Sequence, residues 1–149
     1  MTESGFSFAL NVVTLGVTDF ARSVRFYEAL GLTRKMRATG DEVAFFDAGG
    51  VVLALYRWDL LADDASLPDA PRPQTFRGTT LARNCRSDAE VDEVLAHAVR
   101  VGARLLKPAH KTSYGGYSGY FADPDGHAWE VVRAPGMTFT LDGRLILPD

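Results

Sequence analysis

One order of predicted secondary structure elements occurs twice along the chain, and this repeat constrains the fold more than any single motif. In the first half, a strand over residues 8–17 is followed by a helix over residues 20–30, with Asp19 as its N-cap and Gly31 just after its last residue. The apolar residues of this helix recur with the helical period. Three further strands are predicted over residues 32–37, 43–47 and 51–58.

The second half has the same order of elements. A strand over residues 76–86 precedes Ser87-Asp88-Ala89-Glu90, a capping box that begins a helix ending at Gly102. Strands are then predicted over residues 103–108, 116–122 and 127–133. Self-similarity of this kind indicates a repeated supersecondary unit. We therefore predict an α+β fold in which two βαβββ modules form one domain over residues 1–149.

The modules are predicted to span about residues 8–58 and 76–134. Between them, residues 59–75 contain three prolines and four aspartates, which is typical of a linker. The tail over residues 135–149 contains Asp142-Gly143, a dipeptide typical of tight turns, and is predicted to form a small hairpin that covers a sheet edge or helps to close a site.

Composition excludes several classes of function. The chain has 149 residues and a formal net charge of −3, so it lacks the basic surface that nucleic acid binding needs. No apolar run approaches the roughly 20 residues of a membrane-spanning helix, and the N-terminus lacks the features of a signal peptide. The single Cys85 cannot form a disulfide within the chain and is predicted to serve packing. We expect a cytoplasmic protein that binds neither nucleic acid nor membranes.

A carboxylate lies in the middle of the last predicted strand of the second half. Asp125-Gly126 supplies a tight turn, and the strand after it is apolar except for Glu130. Because an unpaired buried carboxylate is costly, Glu130 is expected to face a polar cavity, to bind something or to be hydrogen-bonded. If Glu130 has no role in function, its carboxylate is expected to be hydrogen-bonded to Thr80, Asn84 or a tyrosine.

Two segments carry a resemblance to a known family. They are residues 15–31, Leu-Gly-Val-Thr-Asp-Phe-Ala-Arg-Ser-Val-Arg-Phe-Tyr-Glu-Ala-Leu-Gly, and residues 120–130, Tyr-Phe-Ala-Asp-Pro-Asp-Gly-His-Ala-Trp-Glu. In order and spacing they resemble the vicinal oxygen chelate superfamily, which includes glyoxalase I, the bleomycin-resistance proteins and the extradiol dioxygenases. The resemblance implies paired modules whose sheets curl into a cup, formed within one chain or across an exchanged homodimer.

The resemblance also implies where a metal would lie. In the metal enzymes of the family, the ligands come from the first and last strands of the modules, and these positions are occupied here by Val12, Ala54, Thr80 and Glu130. Only Glu130 is a good metal ligand, whereas a divalent site needs about three protein ligands. We therefore expect no metal cofactor, with a divalent metal as the alternative.

Strand alternation gives a predicted lining for the cup. The residues on the other face of each strand, among them Trp129, are predicted to pack under the helices. The lining is mostly apolar with a few polar groups, which is typical of a small-molecule pocket. The candidate ligand-binding residues are Val12, Thr14, Ala54, Tyr56, Trp58, Thr80, Asn84, Tyr117 and Glu130.

Three functions remain open on the sequence alone. The first is a metal-independent protein that binds a small organic molecule around Glu130. The second is an enzyme of the superfamily, a lyase or isomerase, in which Glu130 is a general acid or base aided by His110 or Tyr114. The third is a metal enzyme such as a lactoylglutathione lyase or a dioxygenase. A homodimer is expected in each case.

Overall fold

The first half of the chain folds into a four-stranded sheet with one long helix. The computed structural model describes residues 5–70 and 75–149. The elements are β1 (Val12–Val17), α1 (Phe20–Leu30), β2 (Thr33–Lys35), a short 3₁₀ helix (Arg37–Thr39), β3 (Val43–Asp47) and β4 (Val52–Arg57). The strands have the order β1-β4-β3-β2, and β1 runs parallel to β4 whereas the other pairs are antiparallel.

The second half repeats this arrangement. The remaining elements are α2 (Trp58–Asp64), β5 (Thr80–Asn84), α3 (Asp88–Arg100), β6 (Arg104–Lys111), β7 (Tyr117–Ala122), β8 (Ala128–Arg133), β9 (Thr138–Phe139) and β10 (Leu145–Ile146). The second sheet has the strand order β5-β8-β7-β6, and β5 runs parallel to β8. The predicted α+β fold of two βαβββ units is therefore confirmed.

The ends of the two long helices follow from the capping residues. The Asp19 carboxylate accepts a hydrogen bond from the Arg22 amide at 3.0 Å, and Gly31 adopts a φ of 126° just after α1. At α3, the Ser87 hydroxyl accepts from the Glu90 amide at 3.1 Å. Both boundaries agree with the sequence prediction because caps are local signals.

Both helices share one hydrophobic core with the inner faces of the two sheets. Tyr27, Phe46, Leu55, Phe121 and Val131 are fully buried in it. The helices also contact each other directly, since His97 Nε2 donates to the Ala29 carbonyl oxygen at 2.9 Å. The two modules therefore share this core, and each sheet has a second face that points away from it.

Several boundaries differ from the prediction. The first strand begins at Val12 rather than at residue 8, because its partner β4 begins at Val52 and offers no residues for further pairing. The predicted linker contains α2, which has Asp59 in its first turn and good helix formers after it. Residues 71–74 of that linker lie outside the described residues. None of the described helices is long and apolar enough to cross a membrane.

The C-terminal tail forms the predicted hairpin, in which Leu145 pairs with Phe139 and Ile146 with Thr138. It lies against both halves of the molecule. The Arg86 guanidinium lies 4.5 Å from the centre of the Phe139 ring, and the Arg144 side chain approaches Gly50 in the β3–β4 turn. The tail therefore contributes to the surface around the outer face of the second sheet.

Candidate functional site

Glu130 lies in a pocket on the outer face of the second sheet. On β8 it alternates with Trp129 and Val131, which pack in the shared core, so its side chain points away from α3. The pocket has a volume of about 490 Å³. Its lining residues are Ala82, Asn84, Tyr114, Glu130, Val132, Ala134, Pro135, Met137 and Leu145.

One tyrosine holds the carboxylate in place. The Tyr120 hydroxyl donates to Glu130 Oε2 at 3.1 Å across the β7–β8 pair, in which these residues are direct partners. Burial first, and then the hydrogen bond to Glu130, raises the pKa of Tyr120, so the phenol stays protonated as a donor. Within residues 5–70 and 75–149, no Lys, Arg or His nitrogen lies within 4.0 Å of Glu130.

The tail forms one wall of this pocket. Met137 and Leu145 line it, and the Asn84 side-chain amide lies 3.5 Å from the Met137 sulfur. Pro135, at the beginning of the tail, lines it too. The wall is apolar, whereas the floor formed by β5 and β8 carries the polar groups of Asn84 and Glu130.

The structure brings some of the predicted site residues together with Glu130. Asn84 and Tyr114 line the same pocket. Tyr120 is not among the residues predicted from the sequence, although two signals point to it. It alternates with the apolar Phe121, and a tight turn at Asp125-Gly126 pairs it with Glu130.

Other predicted residues lie elsewhere. Val12 is exposed at the beginning of β1, and Tyr56 is half-buried opposite Gly16. Thr80 is exposed at the beginning of β5. Ala54 is only 1% exposed, so its methyl group is covered by its surroundings. None of these four residues is among those lining the Glu130 pocket.

His110 and Tyr117 also lie apart from Glu130. His110 is on β6 opposite Ser118, and its Nδ1 lies 3.4 Å from the Pro108 carbonyl oxygen. Tyr117 lies on the helix-facing side of β7, where its hydroxyl donates to Asp92 of α3 at 2.8 Å. Tyr117 lies four residues before the buried Phe121 on β7, so strand alternation places both side chains on the same face.

A second cavity of about 820 Å³ lies where β1 meets the beginning of β8, and it contains Thr14 and Trp58. The Trp58 ring stacks on His127 with ring centres 5.7 Å apart. His127 Nε2 donates to the Gly16 carbonyl oxygen at 2.7 Å, which leaves Nδ1 to accept from Arg77 at 3.2 Å. His127 therefore joins the two modules.

The turn before β8 fixes the hairpin that carries Glu130. Asp123 is 4% exposed; its Oδ1 accepts from the amides of Asp125 and His127, both at 2.9 Å, and its Oδ2 accepts from the Tyr27 hydroxyl at 2.6 Å. Tyr27 also accepts from Trp129 Nε1 at 3.1 Å. Burial is the main reason that the pKa of Asp123 is raised and that of Tyr27 is raised well above its ordinary value.

Asp125 strengthens the same contact between the modules. Its carboxylate accepts from the amide and hydroxyl of Thr18 at 2.9 and 2.7 Å, and from the Ser23 hydroxyl at 3.0 Å. These groups lie at the N-terminal end of α1, where a negative charge is favoured by the helix dipole. The β7–β8 turn thus binds the first helix and orients β8 at the same time.

The residues present do not fit the divalent metal site that the family resemblance implies. Across residues 5–70 and 75–149, no group of three or more His, Cys, Asp and Glu side chains is placed to hold a metal ion. The implied positions Val12, Ala54 and Thr80 offer no strong ligand beside Glu130, and a second copy of the chain would bring the same residues.

Comparison with known proteins identifies the family. Residues 9–131 match the Glyoxalase/Bleomycin resistance protein/Dioxygenase superfamily model, and the chain belongs to this superfamily. It is similar to a solved structure described as a glyoxalase-related enzyme from Fulvimarina pelagi, with 34% identity, a TM-score of 0.84 and coverage of 95% of this chain and 99% of that one. It is similar also to a lactoylglutathione lyase from Agrobacterium tumefaciens, with 25% identity, a TM-score of 0.62 and coverage of 84% and 92%.

Curated relatives include proteins called metallothiol transferase FosB. The one from Lysinibacillus sphaericus is 28% identical over 137 residues, which are 92% of this chain and 86% of the relative. The one from Staphylococcus saprophyticus is also 28% identical, over 92% of this chain and 81% of the relative. Their name associates these relatives with a metal, which leans against the expectation that this chain has no metal cofactor.

Proposed function

We propose that the protein binds a small organic molecule in the Glu130 pocket without a divalent metal at the family position. The observation that carries this proposal is the Glu130 carboxylate in an otherwise uncharged, mostly apolar pocket of about 490 Å³. Such a pocket, with a few polar groups that fix orientation, is typical of small-molecule sites. The name of the FosB relatives favours a metal, whereas the side chains at the family ligand positions oppose it.

The first test is metal analysis of the purified, untagged protein before and after incubation with Zn, Ni, Mn and Fe(II). We expect less than one equivalent of each metal, with no difference between the wild type and Glu130→Gln. The exposed Glu42→Gln variant is the matched control for loss of one carboxylate. A stoichiometric metal that is lost in Glu130→Gln and kept in Glu42→Gln would overturn the proposal and show that Glu130 is a metal ligand.

A second candidate function is an enzyme in which Glu130 moves a proton. Two observations favour it: the Tyr120 hydrogen bond fixes one carboxylate oxygen, and the Fulvimarina pelagi relative is described as an enzyme. A lyase or isomerase reaction on a small oxygenated substrate fits a single carboxylate base. Its test is exchange of carbon-bound hydrogen for deuterium in candidate α-hydroxycarbonyl compounds, followed by NMR. Exchange that persists in Glu130→Gln would contradict the role of Glu130.

We also propose that the chain forms a homodimer. Phe6, Phe8 and Leu10 alternate along the segment before β1 and are 70%, 95% and 63% exposed. An apolar stripe of this kind marks an interaction surface. Light scattering should give twice the mass of the chain, and Phe8→Ser should shift the equilibrium towards monomer. A monomer at all micromolar concentrations would overturn this proposal. The cytoplasmic location and the lack of nucleic acid or membrane binding remain predictions.

A further inference from the structure

The Glu130 pocket contains a negative charge that nothing else in the described chain balances. All other residues that line it have uncharged side chains, of which only those of Asn84 and Tyr114 are polar. Glu130 Oε2 accepts from Tyr120, whereas Oε1 accepts no hydrogen bond from residues 5–70 or 75–149. A carboxylate against apolar walls is costly unless a cation or hydrogen-bond donors meet it. Glu130 Oε1 is therefore the position at which a hydrogen-bond donor of a ligand would add most to the binding free energy.

The nearby arginines interact with other groups. Arg83 and Arg133, which neighbour the pocket strands, pair with Glu90 and Asp88 of α3, each at 2.7 Å. Arg86 stacks on the Phe139 ring of the tail. These cations lie on the helix-facing side or at the tail, so none of them neutralises Glu130.

We infer that the pocket takes a small organic cation: a protonated amine with an apolar body. The ammonium group donates to Glu130 Oε1, and charge-assisted hydrogen bonds of this type are about twice as strong as neutral ones. The apolar body lies against Met137, Leu145 and Tyr114. This inference rests on the proposed function, because it names the chemical class of the ligand in the same pocket.

Three probes of similar size and different charge test the inference. Benzylamine is a cation at neutral pH, benzyl alcohol is neutral and benzoate is an anion. Each is titrated into ¹⁵N-labelled wild type, Glu130→Gln and the control Glu42→Gln, and chemical-shift changes of the Ala82, Asn84, Tyr114 and Met137 amides report on the pocket. We expect benzylamine to bind about tenfold more tightly than benzyl alcohol, and benzoate to bind most weakly.

The variants separate the charge effect from the pocket itself. Glu130→Gln should lose the preference for benzylamine and still bind benzyl alcohol, whereas Glu42→Gln should behave as the wild type. Equal binding of the amine and the alcohol by the wild type, or a preference that survives in Glu130→Gln, would overturn the inference and leave the proposed function standing. Tighter binding of benzoate would overturn it in the same way. If no probe perturbs the pocket amides at tens of millimolar, both the inference and the proposed function are wrong.

Discussion

The two hairpins that end the modules have the same strand pairing and different chemistry. β4 lies between β1 and β3, as β8 lies between β5 and β7. Near the middle of β4, Ala54 pairs with Thr14 and Phe45 and is 1% exposed. At the corresponding place on β8, Glu130 pairs with Ala82 and Tyr120 and faces a pocket. One backbone position thus holds a covered methyl group in one half and an accessible carboxylate in the other.

The turns before these strands also differ, because the buried polar contacts again lie in the second half. Asp47 is exposed, and its carboxylate accepts a hydrogen bond from the Gly49 amide at 3.1 Å. Asp123 is buried and joins its turn to Tyr27 of the first helix. The β7–β8 hairpin therefore combines the contact between modules with the candidate ligand site. The fold requires a turn and a paired strand at both places, whereas the polar residues are specific to the second.

Exchange of the two central residues should have the largest effect. Ala54→Glu places a charge where there is no room and no partner, so we expect the free energy of unfolding to fall by about 4 kcal/mol or more. Glu130→Ala removes a carboxylate from a pocket and should change it by less than about 1 kcal/mol. Urea unfolding followed by circular dichroism measures both. A tolerated Ala54→Glu would mean that the first sheet has an open site of its own.

Removal of the two turn aspartates should have a smaller effect that differs between the halves. Asp123→Ala leaves the buried Tyr27 hydroxyl and two half-buried amides without their acceptor, so we expect a loss of about 3 kcal/mol in stability. Asp47→Ala removes one exposed hydrogen bond and should cost less than about 1 kcal/mol. The same urea experiment measures both, and equal losses would show that Asp123 does not hold the modules together.

Local signals made most of the fold predictable from the sequence. Asp19, Gly31 and the Ser87–Glu90 capping box set the helix ends through contacts within a few residues. The repeated order of elements indicated two modules, and the family resemblance implied that their sheets are paired. α2 was missed because its sequence was interpreted through the prolines that follow it, and the first strand was predicted too long because its pairing ends where β4 begins.

The candidate site was less predictable, since it depends on which face of which sheet is accessible. Alternation correctly placed Glu130 and Trp129 on opposite faces, and the same rule applied to β7 would have indicated Tyr120 instead of Tyr117. Alternation alone cannot bring in Met137 and Leu145, which reach Glu130 only because the tail folds back against Arg86 and Gly50.

The smallest expected effect is the pH dependence of stability that comes from Asp123 in the second hairpin. Because burial raises the pKa of Asp123 in the folded protein, the folded state holds its proton more tightly than the unfolded chain does. The resulting stabilisation is fully present below the ordinary pKa of aspartate and is lost as the pH rises through the raised value. The loss is about 1.4 kcal/mol for a tenfold difference in proton affinity between the folded and unfolded states.

Asp123→Asn removes this titration and keeps the other ionisable groups. The unfolding free energy of the wild type minus that of Asp123→Asn should therefore be largest at about pH 3 and decrease as the pH rises through the raised pKa of Asp123. Urea unfolding at a series of pH values measures this difference. A difference that increases with pH would mean that the three hydrogen bonds to the Asp123 carboxylate outweigh its burial, so that the folded protein favours the charged form at the contact between its modules.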